Sequence, residues 1–533
     1  MREFLKIFLK FGFLILIVFL FELVLEGISL RILYVLFENI LFAVAIISPL
    51  YFIPRKDLFR YYFIIAYLIF SISIYLEAVY YYLFKSIFSS SAIFVAMESN
   101  TNEIKEFISA YLDVQLIVFS VLFLVATIIL IILIKRSGHT GLLTSKKNKS
   151  RIIVMFLGIL IFLKVSTLII FNLPYLVIKA SVEYYLDSKK LSDYRINKNG
   201  AFENVSRESN ISEQEVYIVI IGESTSRSHM GIYDYYRNTT PLLEEIRNDM
   251  LIYNNVISPH TYTIASLTKG LTLGNSENPE IKYKGSIIQL LNQANFKTYW
   301  ISNQQPIGVF STQLTKIGLG ADKAFFLNSK HTNETTNFDQ DLIDQLKKVF
   351  LEEGDKKVIF LQMIGAHIDY SKRYPKEYDY FKNIPRTKFN NKEVYNKINS
   401  YDNAIRYSDY VIREVVELTK KLSVSSFVFY FSDHGEEVYD DIDFFGHSAD
   451  QIITRNIYEI PMFVWFSEDF KRHKEISINK EAKYMTDDIF HSIADLCQVR
   501  SNEVDSTRSI FNQYFKERKR IIRDTIDYDT YFK

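Results

Sequence analysis

The chain has 533 residues, of which 49% are hydrophobic and 15% aromatic, and its mean hydropathy lies slightly above zero. This composition is too apolar for an ordinary soluble protein of two domains and too charged for a purely membrane-embedded one, so we expect a mixed chain. The formal net charge of +1 gives no global indication of nucleic-acid binding, and no nucleic-acid partner is expected. The single cysteine, Cys497, excludes an intramolecular disulfide and is compatible with a reducing or an oxidising compartment.

Five apolar runs occupy the first third of the chain, and each is close to the ~20 residues that cross a bilayer as a helix. Buried helices of a large soluble core are the alternative for all five. A signal peptide is the alternative for the first run alone, but Glu22 and Glu26 follow that run without a small-residue cleavage site. The runs are residues 7–25, 32–53, 61–83, 114–134 and 152–171.

The basic residues around these runs predict their orientation, because short cytoplasmic loops carry an excess of Lys and Arg. Three basic clusters fall on the same side of five alternating spans. This pattern predicts a cytoplasmic N-terminus and places everything after about residue 172 outside the cytoplasm. The clusters are Arg2, Lys6 and Lys10 before the first run, Arg55, Lys56 and Arg60 after the second, and Lys135, Arg136, Lys146, Lys147, Lys149 and Arg151 after the fourth.

Residues 173–214 form a polar and aromatic connector, part of which could lie along the membrane surface as an interfacial helix. From residue 215 onward, short apolar segments alternate with helical stretches such as 339–352 and 395–421. Continuous apolar strands that alternate with helices predict an α/β domain with a mostly parallel sheet. The predicted strands are "EVYIVIIGE", "FKTYWISN", "KKVIFLQMIG", "SSFVFYFSD" and "IPMFVWFS".

Polar side chains follow three of these strands, where an open α/β sheet binds its ligands. Glu223 ends the first strand, His367 follows "VIFLQMIG", and Asp433 and His434 end "FVFYFSD". His447, on the loop after the Asp-His pair, could reach the same face. Carboxylate and imidazole together suit a catalytic zinc ion better than magnesium or manganese, which prefer more oxygen ligands.

A metal at this edge could activate a hydroxyl on the segment 258–270, "SPHTYTIASLTKG". A metal-bound hydroxyl loses its proton more readily than a free one and becomes a nucleophile at neutral pH. A Ser/Thr-rich helix cap is the alternative meaning of the segment. Composition leaves open which hydroxyl acts among Ser258, Thr261, Thr263, Ser266 and Thr268.

Five blocks of the chain resemble, in order, those of the membrane phosphoethanolamine transferases of Gram-negative bacteria. That family includes lipid A modifying enzymes and belongs to the alkaline phosphatase and sulfatase superfamily. The resemblance covers nearly the whole chain and implies a five-helix transmembrane domain followed by a sulfatase-like α/β domain. The blocks are "IVIIGESTSRSHMGIYDYYRNTTPLL" (218–243), "SPHTYTIASLT" (258–268), "LQMIGAHIDYSKRYP" (361–375), "YDNAIRYSDYVI" (401–412) and "FSDHGEEV" with "FFGHS" (431–448).

The resemblance also implies roles for individual residues. Glu223, Thr263, Asp433 and His434 match the family's zinc ligands, and Thr263 matches the nucleophile as well. By resemblance, Thr263 attacks phosphatidylethanolamine, diacylglycerol leaves, and the phosphoethanolamine group passes to a hydroxyl of lipid A or of a lipopolysaccharide core sugar. The two histidines His367 and His447 match those that hold the phosphoryl group or a second metal.

The segment 95–107, "VAMESNTNEIKEF", resembles the periplasmic segment that binds the donor lipid in the family, with Ser99 and Glu103 at polar positions and Val95 where an asparagine is common. The lipid A enzymes of the family carry disulfides around the nucleophile, whereas the flanking positions here are Pro259 and Lys269. Stability at this place is therefore expected to come from packing alone. The "WISNQ" string, residues 300–304, is closer to the branch that modifies core sugars, which leaves the acceptor open.

These observations predict a monomeric protein of the bacterial inner membrane with a periplasmic catalytic domain. The expected division is 1–172 for the membrane domain, 173–214 for the connector and 215–533 for the catalytic domain. A sulfatase or phosphatase, or a glycerol-phosphate transferase of the same superfamily, is the alternative function. The string "RNTTP", residues 237–241, favours the phosphoethanolamine transferases, and no formylglycine string follows Glu223. A metal-binding sensor or envelope scaffold would keep the fold without turnover, which an intact Thr263 argues against.

Overall fold

The computed structural model describes residues 2–533 except 100, 137–145, 191–195, 209–213, 305–312, 329–337 and 449–452. The chain forms two compact units. One consists of Met1–Ala96 and Ile108–Tyr185, and the other of Met97–Phe107 and Leu186–Lys533.

The first unit is helical throughout. Within the described residues, four helices are long and apolar enough to cross a membrane: Phe4–Glu26, Leu30–Phe52, Lys56–Phe84 and Val114–Leu133. The fifth apolar run, residues 152–171, is divided between a further helix, Lys146–Val165, which has basic residues near both ends, and a short 3-10 helix, Leu168–Phe171. The N-terminal helices in chain order are α1 (Arg2–Glu26), α2 (Leu30–Ile47), α3 (Lys56–Phe84), α4 (Ser90–Glu98), α5 (Thr101–Tyr111), α6 (Val114–Arg136), α7 (Lys146–Val165) and α8 (Leu173–Lys190). The parts of α4, α5 and α8 that lie within Met97–Phe107 or after Tyr185 belong to the second unit.

Aromatic side chains fill the interior of this unit. The ring of Phe11 on α1 meets Tyr67 and Phe70 of α3 edge-on, with centroids 5.2 Å and 5.0 Å apart. One hydrogen bond between buried side chains also joins distant parts of this unit, which offsets part of the cost of burying polar groups. Glu38 accepts a hydrogen bond of 2.8 Å from the side chain of Asn172. Aromatic packing and a buried hydrogen bond therefore both contribute to the interior of this unit.

The second unit contains the sheet. Its helices are α9 (Pro241–Glu245), α10 (Thr263–Gly270), α11 (Ile287–Gln293), α12 (Gln313–Gly318), α13 (Gln340–Phe350), α14 (Lys392–Lys420), α15 (Arg455–Tyr458), α16 (Glu468–His473), α17 (Ile489–Leu496) and α18 (Tyr528–Tyr531). Its strands are β1 (Ser206–Arg207), β2 (Glu215–Gly222), β3 (Met250–Tyr253), β4 (Val256–Ile257), β5 (Lys297–Ser302), β6 (Lys323–Phe326), β7 (Lys356–Gln362), β8 (Ser425–Ser432), β9 (Glu437–Val438), β10 (Phe445–Gly446), β11 (Met462–Phe466), β12 (Tyr484–Met485), β13 (Val499–Arg500), β14 (Ile521–Ile522) and β15 (Ile526–Asp527).

Among the described residues, seven strands form the main sheet, in the order β3-β11-β8-β2-β7-β5-β6. Neighbours from β8 to β6 run parallel, whereas β11 is antiparallel to both β8 and β3. The prediction of a mostly parallel sheet flanked by helices is confirmed. All five predicted strands form, and the sheet adds β3 and β6, which were not among them.

The central strands β2 and β8 are buried along their whole length, which explains their unbroken apolar sequences. Their registers align the two strand ends, since Gly222 of β2 pairs with Ser432 of β8. The polar residues that follow these two strands consequently start from adjacent points of the same sheet edge.

Candidate metal centre and active site

The carboxyl edge of the sheet brings together residues that are far apart in the sequence. Glu223 directly follows β2, and Asp433 and His434 directly follow β8. One potential ligand atom from each of these three residues lies within 4.8 Å of the others. Their side chains are almost completely buried, with exposed fractions of 0 to 1%. The structure therefore forms the compact carboxylate and imidazole cluster expected from the strand ends.

Hydrogen bonds orient the ligand atoms of this cluster. The Asp433 Oδ1 atom accepts from the backbone amides of Ser224 (3.1 Å) and His434 (2.7 Å). The Nδ1–H group of His434 donates to Gly435 O at 2.8 Å, which directs Nε2 toward the carboxylates.

Two atoms of the cluster are buried and have no hydrogen-bond partner among the described residues, namely Asp433 Oδ2 and His434 Nε2. These atoms lie 3.4 Å apart, and His434 Nε2 is 3.3 Å from Glu223 Oε1. Buried polar atoms are nearly always satisfied, so converging unpartnered atoms of oxygen and nitrogen fit a bound cation. The residues present thus fit a zinc ion.

The charges within the cluster also favour a bound cation. Burial, together with the negative charge of Glu223, raises the pKa of Asp433 to about 8. Burial opposes protonation of His434, but the charges of Asp433 and Glu223 raise its pKa to about 10. Burial likewise acts against ionisation of Glu223, yet the contact with positively charged His434 lowers its pKa below the ordinary value. The two carboxylates therefore attract positive charge strongly, which a divalent cation would supply.

Thr263 is the hydroxyl of segment 258–270 that faces the cluster. Its Oγ1 atom lies 3.1 Å from Glu223 Oε2 and 3.3 Å from Glu223 Oε1. Thr263 is partly exposed and is the first residue of α10, where the helix dipole favours negative charge on an oxygen atom. The other hydroxyls bond elsewhere: Ser258 and Ser266 to His260 O, Thr261 to Ser448 O, and Thr268 to Gln313.

His367 and His447 lie beside the cluster. Burial lowers the pKa of His367 to about 4, an effect that the negative charge of Glu223 opposes and the positive charge of Arg373 increases. The ring of His447 is 4.3 Å from that of His434, measured between centroids. Both histidines therefore lie close enough to the cluster to interact with its residues.

Two residues of the site were not predicted. Glu436 is fully buried, contacts His447 Nδ1 at 2.7 Å, and forms a second group of potential metal ligands with His434 and His447. Gln304 donates from Nε2 to Glu223 Oε2 at 2.7 Å. The Asp-His-Gly-Glu string and the "WISNQ" string contain these residues, so strand-end position would have identified both.

The predicted donor residues are described only in part. Ser99 follows α4. Glu103 is on α5, but its side chain lies outside the described residues. Residues Met97–Phe107 belong to the same compact unit as the metal cluster. Glu106 of this segment forms an ion pair with Arg373, which donates from Nε to His367 O at 3.1 Å.

Comparison with known proteins identifies the family. Residues 215–499, more than half of the chain, match the sulfatase family model. The chain is 30% identical over 485 residues to phosphoethanolamine transferase CptA of Salmonella typhimurium, covering 85% of this chain and 83% of that protein. It is 29% identical over 487 residues to phosphoethanolamine transferase EptC of Escherichia coli K12, with the same coverage.

Solved structures agree with this assignment. The zinc complex of the periplasmic domain of Escherichia coli EptC matches with a TM-score of 0.59 and 33% identity over 62% of this chain and 96% of that one. The integral membrane protein EptA of Neisseria meningitidis shares the fold, with a TM-score of 0.72 and 19% identity over 94% of this chain and 98% of that one. The chain belongs to the phosphoethanolamine transferase family, within the alkaline phosphatase and sulfatase superfamily.

Proposed function

We propose that this transferase moves phosphoethanolamine from phosphatidylethanolamine to an envelope glycolipid, lipid A or a lipopolysaccharide core sugar, through a covalent intermediate on Thr263. One observation carries the proposal: Thr263 Oγ1 lies 3.1 Å from Glu223 Oε2, at the edge of a buried cluster in which two ligand atoms have no hydrogen-bond partner in the described part of the chain. A hydroxyl that borders a metal-ligand cluster and begins a helix is suited to nucleophilic attack on phosphorus.

Glu223, Asp433, His434 and Thr263 would hold the zinc ion. When bound, zinc would lower the pKa of the Thr263 hydroxyl and stabilise negative charge that develops on the phosphoryl oxygens. The zinc complex of the Escherichia coli EptC domain supports this choice of metal. A second ion would have His434, Glu436 and His447 as its ligands.

The reaction proceeds by two displacements at the same phosphorus. The oxygen of Thr263 attacks the phosphorus of the donor, the bond to the diacylglycerol oxygen breaks, and the proton lost by Thr263 is balanced by protonation of that oxygen, so diacylglycerol leaves as an alcohol. The acceptor hydroxyl then attacks the phosphothreonine, the bond between phosphorus and the Thr263 oxygen breaks, and the proton lost by the acceptor is balanced by protonation of Thr263. His367 and His447 hold the phosphoryl oxygens during both displacements, and Ser99 and Glu103 contact the donor lipid.

The membrane placement belongs to the same proposal. Residues 1–172 form an inner-membrane domain with a cytoplasmic N-terminus, 173–214 the connector, and 215–533 the periplasmic catalytic domain of a monomer. The basic clusters before the first, third and fifth apolar runs support this orientation. A lipid donor is then available to the enzyme without leaving the membrane.

The experiment is to mix the purified full-length protein with a fluorescent phosphatidylethanolamine and no acceptor. We expect release of fluorescent diacylglycerol and a mass increase of one phosphoethanolamine group on Thr263, located by peptide analysis. Adding lipopolysaccharide should discharge this adduct. An adduct on another residue, or product formation without any adduct, would contradict the proposal.

A further inference from the structure

Tyr401, on α14, is fully buried, and its hydroxyl connects the helix to the loop that carries Glu223. The hydroxyl donates to Ser224 O at 2.7 Å and accepts from the amide of Ser226 at 2.9 Å. Both hydrogen bonds end on the chain that follows β2. The Tyr401 hydroxyl therefore binds the backbone of this loop at two points.

The conformation of Ser224 shows what this contact controls. Ser224 has a φ of +53°, in the left-handed region that residues with a Cβ atom rarely adopt. In this conformation its amide donates to Asp433 Oδ1 at 3.1 Å and its hydroxyl donates to Glu223 Oε1 at 2.8 Å. One strained residue thus orients two of the proposed zinc ligands, and surrounding contacts must hold it there.

The chain after β7 packs closely against the same loop. A Cβ atom at Gly365, after β7, would lie 2.8 Å from Glu223 O, and the amide of Ala366 donates to that oxygen at 3.1 Å. The chain after β7 therefore contacts the backbone of Glu223 closely, and Tyr401 holds the backbone of Ser224 and Ser226.

Tyr401 is itself held rigidly. Its ring meets His229 and Tyr370 edge-on, with centroids 4.9 Å and 5.0 Å apart. The next residue, Asp402, binds His229 Nδ1 and Arg237 at 2.7 Å each. Burial raises the pKa of Tyr401 well above its ordinary value, so the hydroxyl stays protonated and donates.

We infer that Tyr401 is a positioning residue for the metal centre, which acts by holding Ser224 in the left-handed conformation that orients Glu223 and Asp433. This role rests on the proposed zinc site. It is a positioning role because both hydrogen bonds of the hydroxyl end on backbone atoms of Ser224 and Ser226. It also assigns a task to the block 401–412, to which the proposed reaction gives no part.

The test compares Tyr401→Phe with Tyr484→Phe in the full-length protein. Tyr484 is a suitable control because, like Tyr401, it is a buried tyrosine with a hydrogen-bonded hydroxyl. It is 2% exposed, and its hydroxyl bonds to Ser492 Oγ at 2.7 Å, outside the metal cluster. Each variant loses one buried hydroxyl, so both should lower the unfolding temperature of the metal-free protein to a similar extent. Only Tyr401→Phe should weaken zinc binding, by about tenfold or more, measured by competition with a chelator. Its kcat should fall while KM for the donor stays unchanged.

A double-mutant cycle provides the second measurement, should Tyr401→Phe fold poorly. Ser224→Ala removes the hydroxyl bond to Glu223 and should also weaken zinc binding. Tyr401 and Ser224 both act on the orientation of Glu223. The double variant should therefore lose less zinc affinity than the two single variants lose in total. The inference would be overturned if Tyr401→Phe bound zinc as tightly as the wild type, or if Tyr401→Phe and Tyr484→Phe lost equal zinc affinity. It would also be overturned if the losses of zinc affinity in Tyr401→Phe and Ser224→Ala added exactly in the double variant. Failure of the proposed function would instead appear as a wild-type protein that binds zinc but forms no Thr263 adduct.

Discussion

Lys269 forms an ion pair with Asp524 near the C-terminal end of the helix that Thr263 begins. The neighbouring residue in the same turn, Arg523, donates from its amide to Pro259 O at 3.0 Å. A single turn between β14 and β15 therefore contacts both flanks of the segment that carries Thr263. Pro259 and Lys269 stand at the flanks where the lipid A enzymes of the family carry disulfides, and packing alone was expected to stabilise them here. The structure adds an ion pair and a backbone hydrogen bond to that packing.

The first prediction concerns this ion pair. Lys269→Met and Asp524→Asn should each lower the free energy of unfolding by only about 0.5–1 kcal/mol, since Asp524 is largely exposed and the pair is screened by solvent. The double variant should lose little more than either single one, measured by denaturant unfolding at low salt. Additive losses would show that the two side chains do not interact.

The second prediction concerns His229, whose imidazole lies 2.7 Å from Asp402 and 3.1 Å from Asp440. Burial opposes its charge, but the two carboxylates raise its pKa to about 10, above the ordinary value of about 6.5. Its contribution to stability is therefore complete below about pH 6.5 and is lost as the pH rises toward about 10. His229→Gln should flatten the decline of stability over this interval, and an unchanged profile would contradict the role of His229.

The third prediction concerns the metal. Zinc should copurify with the wild-type protein and be lost from Asp433→Asn and His434→Ala, because each change removes a ligand from the buried cluster. Elemental analysis after gel filtration gives the zinc content, and circular dichroism shows whether each variant is folded. Equal zinc content in wild type and both folded variants would exclude these residues as ligands.

The fourth prediction concerns the rate of transfer. Thr263→Ala should lower kcat by roughly 10⁴-fold or more, as deletion of other covalent nucleophiles does. Ser266→Ala and Thr261→Ala are controls, because these hydroxyls bond to His260 O and Ser448 O and should leave most activity intact. Native product formed rapidly by Thr263→Ala would exclude Thr263 as the nucleophile.

The fifth prediction concerns topology. A reporter fused after residue 145 should be active only in the cytoplasm, and one fused after residue 200 only outside it. The opposite pattern would reverse the proposed orientation.

Much of the fold could be predicted because its physical cause is local. The ~20-residue length of the apolar runs and the unbroken apolar sequences of β2, β7 and β8 reflect a membrane and a sheet buried on both faces. The strands β3 and β6 were missed because each is only four residues long. The antiparallel direction of β11 was missed because direction depends on pairing across the sheet, which is not encoded in a single strand.

The sequence by itself determined which residues stand at the strand ends, namely Glu223, Asp433 and His434. It also limited the candidate nucleophilic hydroxyls to the segment 258–270. The family resemblance singled out Thr263 among five hydroxyls of that segment, and the tertiary structure decided the contacts: Thr263 and Gln304 both donate to Glu223, and Glu436 forms a group of potential metal ligands with His434 and His447. It also decided that Ser224 adopts a left-handed conformation held by Tyr401, from a helix far away in the chain. The physical reason is that strand position follows from local apolar patterning, whereas hydrogen-bond partners depend on the distances that folding creates between distant segments.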